Sequence, residues 1–260
     1  MIFPVGNRKV EFEILTENHC NTGLEYFYEP EVVNVIAKVV RPGDLVIDGG
    51  ANFGFFTMML SRLVGPDGLV LAFEPDPKIY GELSENIDGN NLSNVRRFQM
   101  ALWNEDGEKE FWVAPQSGYS SFFRYVPSER KVVQARKLDT LIGDWPVPRF
   151  IKLDCEGAEP WILYGAEETL RKGVDCVVVE LNYSLMEQFG IPNEMVRTFM
   201  TSLGYDMFVI SVKDAETGRY KLIHVEREMP LIVDCVDKDR ARAFNVMFCR
   251  KAAVARTDAS

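Results

Sequence analysis

From Leu45 onward, short apolar runs alternate with amphipathic stretches of about ten residues or more. "LVID" precedes "FGFFTMMLSRLV", "LVLAFE" precedes "PKIYGELSENID", and "VRRFQMA" follows as a third run. The pattern resumes with "RFIKLD", a helix through "PWILYGAEETLRK", the strand "DCVVVELN" and the helix "PNEMVRTFMTSLG". Apolar runs without polar alternation suit strands covered on both faces, and intervening helices make βαβ units. The predicted class is α/β: a Rossmann-like, doubly wound, mostly parallel seven-stranded sheet. Upstream, "RKVEFEIL" alternates as a strand and "EPEVVNVIAKVV" has helical spacing, ended by Pro42 and Gly43. Downstream, "YDMFVISV", "RYKLIHV" and "AFNVMFCRK" predict antiparallel strands, so the sheet closes on an antiparallel C-terminal strand. Between the halves, "LWNEDGEKEFWVA" predicts a β-hairpin insertion turning at Asp106-Gly107, and "PQSGYSSFFRYVPSER" a loop. The division expected is a strand and helix cap over 1–40, one domain over 41–250, and a disordered tail over 251–260.

Composition narrows the partners. With 260 residues and 47% apolar side chains the chain can bury a large core. A formal charge of −10 argues against a nucleic-acid backbone as the main partner, because such binding draws on clustered Lys and Arg. No secretory leader and no apolar run of about 18 residues is present, which predicts a cytoplasmic protein that does not engage a membrane. The five cysteines, Cys20, Cys155, Cys176, Cys235 and Cys249, form no CxxC and read as free thiols. The expected partner is a small molecule; a homodimer is compatible with the sequence, which leaves the oligomeric state open.

The glycine turn in "DLVIDGGANFGFFT" carries the chemistry. It lacks the lysine of a P-loop. It also fails the GxGxxG dinucleotide pattern, because Ala51 or Asn52 stands where the third position must be glycine, so an NAD-dependent oxidoreductase is disfavoured. What remains is Asp48 ending a strand, with Gly50 and Gly54 behind it. A carboxylate there repels a pyrophosphate and accepts a cationic ammonium. Glu74, ending the next strand in "LAFEPDP", is placed to accept two ribose hydroxyls. A ligand with an amino-acid end and a ribose is S-adenosylmethionine.

These segments resemble the FkbM-type methyltransferases, within the class I S-adenosylmethionine-dependent fold. The resemblance spans roughly Tyr26 to Tyr205 and rests on "VIDGGANFGFFT", "AFEPDP", "ALWNEDGEKEF", "ARKLDTLI" and "FIKLDCEGAEPWILYGAEETLRK" followed by "VVVELN". It implies that Asp48, Gly49, Gly50, Asn52, Gly54 and Thr57 surround the methionine part, with Asn52 on its carboxylate. Glu74 and Pro75 would border the ribose, and Ala101 would meet adenine through its backbone. It implies methylation of a hydroxyl on a sugar or natural product. Gly49 stands where valine is more usual, which predicts a looser turn.

For catalysis the sequence offers Asp154 in "KLDCEGAE", also a cofactor neighbour, with Glu156 and Glu180. Methyl transfer needs an aligned acceptor and removal of its proton. Asp154 or Glu156 could take that proton and Glu180 could orient the acceptor. Helix capping competes for Glu156 and, more strongly, Glu159. The same three carboxylates could hold Mg²⁺, since hard cations take oxygen ligands, but that is the lesser reading and no metal ligand is assigned. His19 and His224 read as ordinary polar residues, and Asp139 as the cap of a short helix. Tyr119, Phe122, Phe123 and Tyr125 could wall an acceptor pocket or anchor a loop. N-methylation, or cofactor binding without catalysis, are the competing functions.

Overall fold

The structure, a computed structural model, describes residues 2–5, 8–15, 29–115, 118–124, 126–143, 145–210, 222–225 and 243–250. Strands β1 (Ile2–Val5) and β2 (Arg8–Glu11) pair ahead of helix α1 (Pro30–Val39). The alternation then runs β3 (Leu45–Gly49), α2 (Phe55–Val64), β4 (Leu69–Phe73), α3 (Pro77–Gly89) and β5 (Val95–Phe98). Strands β6 (Ala101–Leu102), β7 (Gly107–Val113) and β8 (Glu129–Arg136) precede helix α4 (Leu138–Ile142). Next come β9 (Phe150–Leu153), α5 (Glu159–Tyr164), α6 (Glu167–Gly173), β10 (Cys176–Asn182), α7 (Tyr183–Gln188), α8 (Met195–Ser202), β11 (Tyr205–Ile210), β12 (Leu222–Val225) and β13 (Ala243–Arg250).

The main sheet has the order β12-β11-β13-β10-β9-β3-β4-β5. Strands β5, β4, β3, β9 and β10 are parallel, and β13 runs antiparallel between β10 and β11. The expected seven strands are therefore present, and β12 adds an eighth at the edge, antiparallel to β11. The chain starts in the middle, winds out to β5, then crosses to β9 and β10. This places the topological switch between β3 and β9, where open α/β sheets bind ligands beyond the carboxyl ends of their strands.

Four expectations are corrected. The hairpin does not turn at Asp106-Gly107: β7 pairs with β8 from Gly107↔Ala135 to Val113↔Glu129, and β6 pairs in parallel with the far end of β8. The Asp106 carboxylate instead accepts the Lys137 amide. The single helix through "PWILYGAEETLRK" is two, α5 and α6, parted at Gly165, where a Cβ would lie 2.0 Å from the Trp103 carbonyl oxygen. Asp139 caps not its own helix but α6, accepting the amides of Glu168 and Thr169 at 3.0 and 2.8 Å. Two of the expected free thiols are joined, Cys176 to Cys249, because β10 and β13 place them directly opposite in register; Cys155 is free. Cys20, Cys235, His19, Tyr125 and the tail lie outside the described residues, while His224 falls on β12.

Strand alternation sorts the core into two layers. Val46, Phe150, Val178 and Met247 pack with α1 and α2, while Ile47, Ile151, Val177, Val179 and Phe248 pack with α5, α6 and α8 on the other face. Because side chains repeat with period two along a strand, the polar residues at the strand ends inherit this division. Asp48 follows Val46, Lys152 and Asp154 follow Phe150, Glu180 follows Val178, and Asn245 precedes Met247. All five therefore belong to the face covered by α1 and α2.

Candidate active site

The carboxyl ends of β3, β4, β9 and β10 border a cleft with about 820 Å³ of non-protein space, part of it open to solvent. Its lining includes Glu29, Glu74, Asp76, Asp154, Glu156 and Glu180, with apolar walls from Phe73, Ile79, Met100, Phe111, Phe122 and Ile162. Among the described lining residues there are six carboxylic acids and no lysine, arginine or histidine. A cleft of that composition favours a cationic ligand.

At one end, the β3–α2 turn is built for close approach. Gly50 has φ of 75°, and a Cβ there would stand 1.8 Å from the Asp154 carbonyl oxygen. Asn52 also takes a left-handed conformation, with φ of 51°. Such conformations are held only where surrounding structure enforces them, and they recur at ligand sites. Gly54 caps α2 with φ of 100° against Leu83. Gly49 does not loosen the turn as expected: Leu153 and Leu102 fill the space a side chain would take, 2.8 and 3.2 Å from a built Cβ.

Asp48 lies beneath this turn, 1% exposed, rather than on the cleft surface. Its Oδ2 accepts the Thr57 hydroxyl at 2.6 Å, and its Oδ1 is buried with no hydrogen-bond partner. Burial raises its pKa, against the pull of the Lys152 ammonium and the Thr57 hydroxyl. A buried acceptor without a donor is costly unless a ligand completes it. On the adjacent strand, the Glu74 carboxylate is fixed by two amides, Asn52 N–H to Oε2 at 3.0 Å and Asp76 N–H to Oε1 at 2.9 Å. Each oxygen keeps a further lone pair for a ligand hydroxyl. Pro75 and Ala101 border the same stretch of cleft. This orphaned acceptor, glycine cradle and tethered carboxylate fit the amino-acid end and ribose of S-adenosylmethionine.

At the other end, ligand oxygens of Asp154, Glu156 and Glu180 lie within 4.8 Å of one another. The group carries internal compensation. Lys152, 2% exposed, places its ammonium 3.0 Å from Asp154 Oδ2 and 4.5 Å from the centroid of the Phe56 ring. The pKa of Glu180 is driven well up, first by the Asp154 charge and then by burial. A buried lysine already paired within the donor set compensates its charge from inside, and no metal is assigned to it. Glu156 adopts φ of 51°, and its carbonyl accepts the Ser121 hydroxyl at 2.7 Å. Ser120 in turn donates to Asp76 at 3.0 Å. The segment after β7 is thus fastened to both walls of the cleft, carrying Phe122 into its lining and Phe123 into the core, while Tyr119 is exposed. Glu159 stands in the first turn of α5, and its carboxylate accepts the Cys155 amide of the preceding loop at 2.6 Å.

Two residues of this site escaped the sequence reading. Lys152 stands in a buried strand two residues before Asp154, and that parity, a cation on the same face as an acid, is the signal that could have found it. Glu29 precedes α1 and accepts a hydrogen bond from Asn245 of β13 at 3.4 Å. Only the tertiary fold brings these together.

The buried acids predict a pH dependence of stability. Burial is the first cause raising Glu74 and Glu159 to about 8 and Glu29 to about 7, from an ordinary 4.5. An acid whose folded pKa is raised favours folding while protonated, so its contribution is lost as pH rises between about 4.5 and about 8. The ligand-free protein should therefore melt higher at pH 6 than at pH 8, by on the order of 5 °C. Equal melting temperatures by calorimetry at the two pH values would show these acids to be solvated.

Comparison with known proteins agrees with this geometry. The family model described as Methyltransferase FkbM domain matches residues 48–207. Methyltransferase 1 of Beauveria bassiana is 28% identical over 159 residues, covering 52% of this chain and 64% of that protein. The 31-O-demethyl-FK506 methyltransferase FkbM of Streptomyces tacrolimicus is 35% identical over 121 residues, 45% of this chain and 46% of that protein. The chain thus spans less than two thirds of the length of either relative. The crystal structure of precorrin-6y C5,15-methyltransferase from Geobacter metallireducens shares the fold, with a TM-score of 0.51 at 14% identity over 95% of this chain and all of that one. With the family model covering more than half its length, this chain belongs to the FkbM methyltransferase family.

Proposed function

We propose that the chain is an S-adenosylmethionine-dependent methyltransferase that methylates a hydroxyl of a small molecule, a sugar or natural product. The observation that carries this reading is the buried, unpartnered Oδ1 of Asp48 at one β-strand end, beside a tethered Glu74 at the next. Asp48 would hold the ammonium through the turn, Gly50 and Asn52 the carboxylate, Glu74 the ribose and the Ala101 backbone the adenine. Gly49, Gly54 and Thr57 would shape the turn and fix Asp48 without touching the ligand. Bound S-adenosylmethionine supplies an electrophilic methyl group on a sulfonium. The acceptor would lie against Asp154, Glu156 and Glu180, which orient its hydroxyl for removal of its proton. The name of the Streptomyces relative, which specifies methylation at oxygen, supports the choice of a hydroxyl.

The net charge of −10 supports a small-molecule rather than a nucleic-acid partner. Among the described residues no helix is long and apolar enough to cross a membrane. We place the protein in the cytoplasm; the Cys176–Cys249 bond, fully buried in the sheet, is sheltered there from thiol exchange. In this reading residues 41–250 work as one domain, and the cap over 1–40 lends Glu29 to the cleft. Asp154→Asn should reduce transfer of labelled methyl to a hydroxylated acceptor by about 10² or more while leaving S-adenosylhomocysteine affinity within a few-fold. Undiminished transfer in that variant would remove the carboxyl cluster from the mechanism. Methylation of amines in preference to hydroxyls would replace O-methylation with N-methylation, and cofactor binding without transfer to any acceptor would reduce the chain to a binding protein.

A further inference from the structure

Glu29 occupies the position before α1 at which side chains ordinarily cap a helix. Its side chain makes no cap hydrogen bond, and its backbone is left-handed, with φ of 42° and ψ of 63°. For a residue with a Cβ that conformation is strained and is held only where the surrounding structure enforces it. What the conformation accompanies is a carboxylate in the cleft lining, held there by the amide of Asn245. The acid is thus withdrawn from its own helix and presented to the carboxyl ends of β9 and β10.

The other acids at that end are already engaged. Asp154 gives one oxygen to the Lys152 ammonium, and Glu180 lies against Asp154 with an oxygen within 4.8 Å, its pKa driven well up by that charge. We propose that Glu29 is the general base of the transfer, and that Asp154 and Glu180 hold the acceptor for it. This rests on the methyl-transfer reading above. As the acceptor oxygen bonds to the methyl carbon, the carbon–sulfur bond breaks with its electron pair remaining on sulfur. The hydroxyl proton passes to an Oε of Glu29, which becomes a neutral carboxylic acid.

The groups facing Glu29 accord with that task. Burial raises its pKa most, the Lys152 ammonium lowers it, Asp154 and its own neighbour Glu31 raise it, and the Asn245 amide lowers it; Glu180 faces it from β10. The balance is a carboxylate pushed up to about 7, a base matched to neutral pH.

Isothermal titration of the full chain with S-adenosylmethionine, at pH 7 in buffers of different ionisation heat, tests this without turnover. The incoming cation drives ionisation of Glu29, so wild type should release protons, up to about half of one from this group. In Glu29→Gln that portion should be lost, with cofactor affinity within about 3-fold and melting unchanged or raised. Labelled-methyl transfer to hydroxylated acceptors should fall by about 10² or more in Glu29→Gln and recover partly in Glu29→Asp. The wild-type rate at saturating cofactor should rise to a plateau at or below about pH 7, and the residual rate of Glu29→Gln should lose that rise. Proton release in Glu29→Gln equal to wild type, or transfer undiminished by it, overturns the role of Glu29. Failure of wild type to bind S-adenosylmethionine overturns instead the function on which it rests.

Discussion

Gly50→Ala is expected to abolish measurable S-adenosylhomocysteine binding and to destabilise the fold by about 3 kcal/mol or more. The added Cβ would meet the Asp154 carbonyl oxygen at 1.8 Å and its carbon at 2.8 Å, both backbone atoms that cannot rotate away. Relief requires the β3–α2 turn to separate from the end of β9, and that junction joins the proposed cofactor and acceptor halves of the cleft. Gly43→Ala is the matched control. Gly43 also has a positive φ, 84°, yet nothing lies within 4 Å of its built Cβ, so it should cost only about 1 kcal/mol and leave binding intact. Calorimetric titration and thermal melting of both variants separate a steric demand at Gly50 from a general intolerance of side chains at left-handed glycines. Binding retained in Gly50→Ala would place the ligand elsewhere.

Lys152→Met should be the other severe change. The ammonium is buried, pairs with Asp154 at 3.0 Å, and lowers the pKa of Asp48 and Glu29. Removing one member of a buried pair leaves an uncompensated charge, a loss of about 3–5 kcal/mol, even though methionine nearly matches the volume and keeps contact with Phe56. The sign of the pH effect follows from the acids left behind. Without the cation the folded pKa values of Asp48 and Glu29 rise further, so these two acids favour folding only while protonated, and the deficit should widen from pH 6 to pH 8. A denaturant series at both pH values measures it. A variant as stable as wild type, with no dependence on pH, would mean that water or a rearranged neighbour already neutralises Asp154.

The order of strands and helices was legible because each element declares itself locally. Apolar runs such as "VVVE" and the glycines after Asp48 need no knowledge of the rest of the chain. The positions of Asp48 and Glu74 were legible for the same reason: each ends an apolar run that must be a buried strand. What stayed hidden depends on distance. Asp106-Gly107 has the residues of a tight turn, but the partner of β7 is β8, beyond a long loop. Gly165 breaks a helix because Trp103 passes against it, a contact 62 residues away that no local periodicity contains. Lys152 drew no reading of its own, because which side chains meet its ammonium depends on the helices that cover that face of the sheet. Glu29 reads as an ordinary helix start until β13 arrives with Asn245. The cysteines followed the same rule, since a register between β10 and β13 is a property of the sheet.

That register carries a further meaning for the cleft. Cys176 opposite Cys249 and Glu180 opposite Asn245 are rungs of one antiparallel ladder. The sulfur bridge pins the ladder at its distal end, so the C-terminal strand cannot slide by one residue. Any such slippage would swap Asn245 for an apolar neighbour, Phe244 or Val246, and withdraw the amide that steadies Glu29. A covalent stitch deep in the hydrophobic interior thereby sets the aim of a carboxylate at the opposite rim.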